Sequence, residues 1–223
     1  MNDRTSTPNI PPYTWKRPIG LGWENPYTVR FASNLDVGPW HGMPLGGFGA
    51  GCIGRSSRGD FNLWHIDGGE HIFRSLPACQ FSVFEETQGK KQAFALSTEP
   101  PTDGSLSSWK WYPKEGRREK SNSGTYHALY PRSWFVYENV FQAQLSCEQF
   151  SPILPNNYQE SSYPVAMFEW VAHNPTDAPI TLSIMLTWEN IVGWFTNANK
   201  SPKVMVRDDG SPFYDYQPRW GES

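Results

Sequence analysis

The sequence predicts an all-β protein, an antiparallel β-sandwich, on three observations. Trp 11, Tyr 10 and Phe 13 make 15% of its 223 residues aromatic, and aromatic side chains favour strands. Pro 20 and Gly 19 are spread along the whole chain, and both residues punctuate strands with turns. Period-two alternation spans Thr181 to Asn190, with Leu182, Ile184, Leu186 and Trp188 on one face and Thr181, Ser183, Thr187 and Glu189 on the other. Charge-laced stretches of helical period are nearly absent. A chain this long buries a substantial core without disulfide or metal staples.

Taken in order, residues 1–27 form an irregular lead segment. Pro8, Pro11, Pro12, Pro18 and Pro26 exclude a continuous helix or a central strand there. Tyr13, Trp15 and Trp23 mark it as a segment that packs onto a neighbour. Residues 28–223 carry the sandwich, with room for closing strands at its C-terminal end. Gln80 to Phe84 reads as a strand, and Phe135 to Cys147 places Phe141, Ala143, Leu145 and Cys147 on one face. Val165 to Ala172 is apolar on both faces, the pattern of a covered central strand. The cluster His173-Asn174-Pro175-Thr176-Asp177-Ala178-Pro179 is a turn, so this strand and the next are expected to form a hairpin. Two segments resist strand assignment. One is Thr98 to Asn122, with Trp109, Lys110, Trp111 and Tyr112 at its middle; the other is Asn197 to Ser223, where no alternation survives after Val206.

Bulk chemistry excludes several classes. Net charge is −3, and the run Lys114 to Lys120 interleaves Glu115 and Glu119 with its cations. That is a solvated loop and not a phosphate-binding surface, so no nucleic-acid partner is expected. Cys52, Cys79 and Cys147 are odd in number and far apart, which fits neither a zinc site nor a disulfide framework. The five histidines show no metal spacing, and no metal or cofactor is expected. No apolar run approaches bilayer length, and the start Met1-Asn2-Asp3-Arg4-Thr5 lacks an apolar leader core. The expected location is cytoplasmic, without a transmembrane segment but with peripheral membrane contact open.

Several motifs carry tempting chemistry. Gly49-Ala50-Gly51-Cys52-Ile53-Gly54 spells G-x-G-x-x-G. A dinucleotide site needs a buried strand before it and a helix after it, whereas Arg55-Ser56-Ser57-Arg58-Gly59-Asp60 reads as a turn. These glycines are expected to permit close backbone approach in a tight corner. Arg58-Gly59-Asp60 is likewise a turn. Asp60, Asp67, Glu70 and Glu189 are the carboxylates available for acid/base work, and no spacing pairs them across a scissile bond. No catalytic residue is assigned. His127 reads as a hydrogen-bonded structural histidine. Trp109, Trp111, Trp194 and Trp220 lie in loop-like sequence and are the candidates for a sugar-site rim or a domain interface; Trp64, Trp134, Trp170 and Trp188 lie in or beside strands and read as core.

Beyond single motifs, ordered blocks are present. They are Pro44 to Gly54 with Gly59, Phe61 and Trp64, then Pro77 and Phe81, Tyr126-His127-Ala128-Leu129-Tyr130-Pro131-Arg132-Ser133-Trp134, Phe150 to Tyr158, Ser161 to Ala166, and Thr187-Trp188-Glu189-Asn190. Together these blocks, over residues 40–195, resemble the amino-terminal domain of glycoside hydrolase family 116, the non-lysosomal glucosylceramidase or bile-acid β-glucosidase type. The resemblance implies a β-sandwich that packs against a following helical domain, which carries the Glu nucleophile and Asp acid/base of a retaining β-glucosidase. Neither catalytic motif occurs here, so the chain is expected to be a truncated, non-catalytic part of such an enzyme. Its partners would be that helical domain and a β-glucoside such as glucosylceramide. The alternative is a stand-alone carbohydrate-binding module with Trp109 and Trp111 as its platform, and a purely structural interaction domain is the third reading.

Overall fold

The computed structural model describes residues 8–20, 42–66, 72–113, 123–189, 203–206 and 212–215. These form fourteen strands and one single-turn helix. The largest sheet has the order β1-β8-β9-β10-β11, from Trp15–Pro18, Gly124–Leu129, Arg132–Tyr137, Gln144–Phe150 and Met167–His173. A three-stranded sheet, β12-β6-β7, combines Ile180–Thr187, Gln80–Thr87 and Lys90–Ala95. A four-stranded sheet runs β2-β3-β4-β5, from Met43–Leu45, Cys52–Arg55, Phe61–His65 and Ile72–Phe73. Strands β13 (Lys203–Val206) and β14 (Pro212–Asp215) pair with each other. Every ladder between these strands is antiparallel. The fold is therefore the all-β antiparallel sandwich that the sequence predicts.

Alternation builds the core. Tyr126, Phe135, Tyr137, Leu145 and Cys147 of the large sheet are buried together with Phe81, Val83 and Phe94 of the three-stranded sheet. Phe81 meets Phe168 edge-on with centroids 5.0 Å apart and Trp170 at 5.1 Å. The four-stranded sheet joins through Trp188, whose ring lies 5.1 Å from Phe61 and 5.6 Å from Trp64. Such edge-to-face pairs add about 0.5–1.5 kcal/mol each beyond area burial.

Arg55 and Glu85 bring charge into this core. Arg55 is fully buried; its Nε donates to Gly59 O at 3.1 Å and an Nη to the Tyr137 hydroxyl at 3.0 Å. Its guanidinium lies 4.1 Å from the Phe135 centroid and 5.0 Å from that of Phe81, so ring faces stand where a carboxylate would be expected. Glu85, also buried, accepts from Gln92 Nε2 at 2.8 Å and from the backbone N–H groups of Gln142 and Ala143 at 3.0 and 2.9 Å. One carboxylate on β6 thus fastens the β9–β10 connection of the opposite sheet.

Four expectations are corrected. Strands β11 and β12 do not form a hairpin: β11 pairs with β10 (Trp170 opposite Cys147), and β12 pairs with β6 (Ile184 opposite Val83). The Asn174–Pro179 connection, held by Asn174 Nδ2 donating to Ala178 O at 2.7 Å, carries the chain from one sheet to the other. Nor is β11 central. It is the edge of its sheet, with Met167 exposed, and Ile184 and Leu186 of β12 and Trp188 just past its end are exposed as well. Finally, the segment after Asn197 does contain strands, because Pro212 opens β14, where a missing N–H disturbs a ladder least. The expected face over Phe135 to Cys147 is divided between β9 and β10 by a turn at 138–143.

Candidate functional site

The glycine-rich turn between β2 and β3 lies against the segment that follows β10. Gly51 has φ +81, and a Cβ there would stand 2.4 Å from His65 O. A Cβ on Gly47 would stand 2.4 Å from the Ser162 carbonyl carbon. The turn therefore rests backbone on backbone, which only glycine permits. Phe48 N–H donates to Ser161 O at 2.8 Å and Gly46 N–H to Ser151 Oγ at 3.0 Å, while Ser151 Oγ donates to Pro44 O at 3.2 Å. The single-turn helix α1, Tyr158–Ser161, is capped by Asn157, whose side chain accepts from Glu160 N–H. Ser161 Oγ closes the loop onto Leu154, accepting from its N–H at 2.8 Å and donating to its carbonyl at 3.1 Å.

This frame holds an apolar surface. Phe48 is 51% exposed, Tyr163 49% and Val165 40%, and Ile66 is also exposed. Between the turn and residues 164–166 runs a groove of about 200 Å³, lined by Leu45, Gly51, Ile53, Ile66 and Val165, with Cys52 and His65 facing each other across β3 and β4. Burial pushes the Cys52 thiol above its ordinary value, so it stays protonated at neutral pH and is no nucleophile. The groove's lining is mostly apolar, and no carboxylate stands among its described lining residues.

The residues singled out by sequence fall in several places. Trp109 and Trp111 stack on each other, centroids 6.2 Å apart at 26°, and both are half-buried. Trp194 and Trp220 lie outside the described residues, as do Asp67 and Glu70. Asp60 is buried, bonded to Ser56 Oγ and 3.8 Å from Arg58 Nε. The sequence Arg58-Gly59-Asp60 occupies the turn between β3 and β4. His127 Nδ1 bonds Thr14 Oγ1 at 3.0 Å. The G-x-G-x-x-G stretch runs into strand β3 and not into a helix, which removes the dinucleotide geometry. Sequence reasoning missed Phe48, Tyr163 and Val165 as a surface. The signal was present as two blocks, Pro44 to Gly54 and Phe150 to Ala166, but their contact is more than a hundred residues long-range.

Residues 42–223 match the family model described as beta-glucosidase 2, glycosyl-hydrolase family 116 N-term. The chain belongs to this family. The matched span of the family 116 N-terminal domain takes in both the glycine-rich turn and the 151–166 segment, so the surface they build lies wholly inside it. No helix among the described residues is long and apolar enough to cross a membrane.

Proposed function

We propose that this chain is the non-catalytic N-terminal β-sandwich of a retaining β-glucosidase of the glucosylceramidase kind. It buttresses the helical catalytic domain of the same full-length protein and shapes the rim of its sugar site. The observation that carries this reading is the convergence of two distant blocks into one rigid surface, with Phe48, Tyr163, Val165 and Ile66 turned outward. Apolar side chains fixed by backbone hydrogen bonds lose little entropy on docking, which favours a permanent neighbour. Hydrolysis with retention needs two carboxyl groups about 5–5.5 Å apart. In this reading the helical domain supplies both.

Two measurements test it. The chain alone should release no nitrophenol from a nitrophenyl β-glucoside, and activity that survived repurification would sink the non-catalytic assignment. Co-expressed with the helical domain, the chain should co-purify, and the pair F48S and V165D should weaken that complex. Undiminished complex formation by both variants would place the interface elsewhere. Tryptophan emission that responds to titrated glucoside in the chain alone would favour the carbohydrate-binding reading at Trp109 and Trp111.

A further inference from the structure

We propose that residues 14–20 are a strap that locks the three sheets into one body, and that this strap belongs to the working domain although it lies upstream of the family's span, 42–223. Its residues reach each sheet in turn. Strand β1 pairs antiparallel with β8 of the large sheet, with Lys16 opposite His127 and Pro18 opposite Thr125. Gly20 N–H donates to Ser57 O at 3.1 Å, in the turn between β3 and β4 of the four-stranded sheet. Gly20 also lies against Thr98, just past the end of β7 in the three-stranded sheet: a Cβ on Gly20 would stand 2.9 Å from Thr98 Cγ2.

The ladder is the weaker part of this hold. Strand β1 is four residues long, and Pro18 brings no N–H to it. The stronger part is Ile19. Its side chain is fully buried in the same core cluster as Tyr126 and Phe135, and its N–H donates to Gly124 O at 3.0 Å. Gly124 makes the room, because a Cβ there would stand 3.0 Å from Ile19 Cδ1. Gly20, buried and with φ +87, then turns the chain against Thr98. Thr98 N–H donates to Arg58 O at 2.9 Å, so this one corner ties the β3–β4 turn to the end of β7. At the other end of the strap Thr14 Oγ1 bonds His127 Nδ1 at 3.0 Å, and the Trp15 ring meets Tyr126 edge-on at 6.1 Å.

A short ladder joined to one deep plug holds or releases as a unit. Ile19 stands between the β1–β8 ladder and the Gly20 corner, so its packing sets where Gly20 meets Ser57 and Thr98. When Ile19 leaves the core, the ladder and the corner lose protection together, in an opening smaller than the unfolding of the sheets themselves. The strap therefore couples the large sheet to the four-stranded sheet that carries the glycine-rich turn. The proposal uses none of the residues of the docking surface above and stands apart from that reading.

Amide hydrogen exchange on the full chain tests the strap. Ile19→Ala should speed exchange roughly tenfold at Gly20, at Thr98 and along the β1–β8 ladder, while Val83 and Phe84 in the middle of β6 keep the parent's rates. A cross-strand staple, Lys16→Cys with His127→Cys, supplies a readout that a plain core residue would not move. Facing residues on antiparallel strands have Cα atoms about 4.5–5.5 Å apart, within reach of a disulfide. Oxidising the staple in the Ile19→Ala chain should bring exchange at Gly20 and Thr98 back to within about threefold of the parent, and reduction should release it again. Equal acceleration in β6 would make Ile19 an ordinary core residue felt by the whole domain, and overturn the proposal. Rates at Gly20 and Thr98 that ignore both Ile19→Ala and the staple would overturn it too, because that corner is then held independently of β1. So would a cysteine pair that does not close on mild oxidation, since β1 is then not seated on β8.

Discussion

Glu85 offers the sharpest test of how the two sheets are held together. Its carboxylate is buried, and it accepts one side-chain and two backbone hydrogen bonds, the latter from the β9–β10 connection. Hydrogen bonds to a charged acceptor contribute about 1.5–3 kcal/mol each, and an orphaned buried donor costs about 1–3 kcal/mol. Glu85→Ala leaves the N–H groups of Gln142 and Ala143 without their acceptor, so the expected loss is about 3–5 kcal/mol. That is a large share of the roughly 5–15 kcal/mol that holds a domain folded. Glu85→Gln keeps the shape but turns an amide NH2 toward at least one donor, so a loss of about 1.5–3 kcal/mol is expected. Urea unfolding followed by tryptophan emission measures both, with an unchanged slope showing that the denatured state is not the cause. Amide exchange at Gln142 and Ala143 should accelerate more than at Phe135, in the middle of β9. An alanine variant within about 0.5 kcal/mol of the parent, the range of an ordinary surface change, would refute the latch.

Three further outcomes follow from the core. Arg55→Met should cost about 1–3 kcal/mol, since the Gly59 carbonyl and the Tyr137 hydroxyl lose their buried donor, while Arg55→Lys also leaves a buried ammonium without the fork and should cost more, about 3–5 kcal/mol; equal urea midpoints for the two variants would disprove the role given to the guanidinium. Burial pushes the Cys79 thiol up to about 11 and that of Cys147 up to about 12, so a thiol reagent at neutral pH should leave both unmodified in the native chain and reach all three cysteines in guanidinium. Burial, with Lys16 nearby, holds the His127 imidazole below its ordinary value, so the unfolded chain takes up the proton first: stability should be full above the unfolded value of about 6.5 and fall as pH drops through the native one. A urea midpoint for H127Q that shows the same acid dependence as the parent would contradict this.

How far the sequence revealed this fold depends on the range of the contact involved. Alternation along β12 and β6 was legible because the pleat is local: every second residue of Gln80–Thr87 is buried as the pattern requires. Pairing was not legible in the same way. An apolar alternation followed by Asn174-Pro175 reads alike whether the next strand folds back or crosses to the facing sheet. That choice is settled by Cys147 against Trp170 and Val83 against Ile184, contacts 23 and 101 residues apart. Arg55 was hidden for a related reason. A cation in a turn-rich sequence looks solvated until Phe135, eighty residues on, supplies its ring face. The candidate surface was half legible: its two blocks stood out as composition, but their contact is made by Ser151 and Ser161, which carry no signal of their own.

Gly47 shows whether that surface is fixed by backbone approach, because two neighbouring glycines separate the possible effects. At Gly49 a Cβ meets nothing within 4 Å, but the residue has φ +69, so Gly49→Ala carries only left-handed strain of about 1–2 kcal/mol. Gly47 has no positive φ, yet its Cβ would strike the Ser162 carbonyl carbon at 2.4 Å and Tyr163 O at 2.5 Å. Backbone cannot yield as a side chain does, so Gly47→Ala should lift the turn off α1, break the Phe48–Ser161 hydrogen bond and cost about 1–3 kcal/mol. The stability losses overlap, but the surface does not respond alike. G47A displaces Phe48 relative to Tyr163 and Val165 and should weaken capture of the helical domain at temperatures where both variants are fully folded, while G49A should leave it intact. Equal capture by the two variants would mean that Phe48 is placed by its own packing and that the glycine contact serves the fold alone.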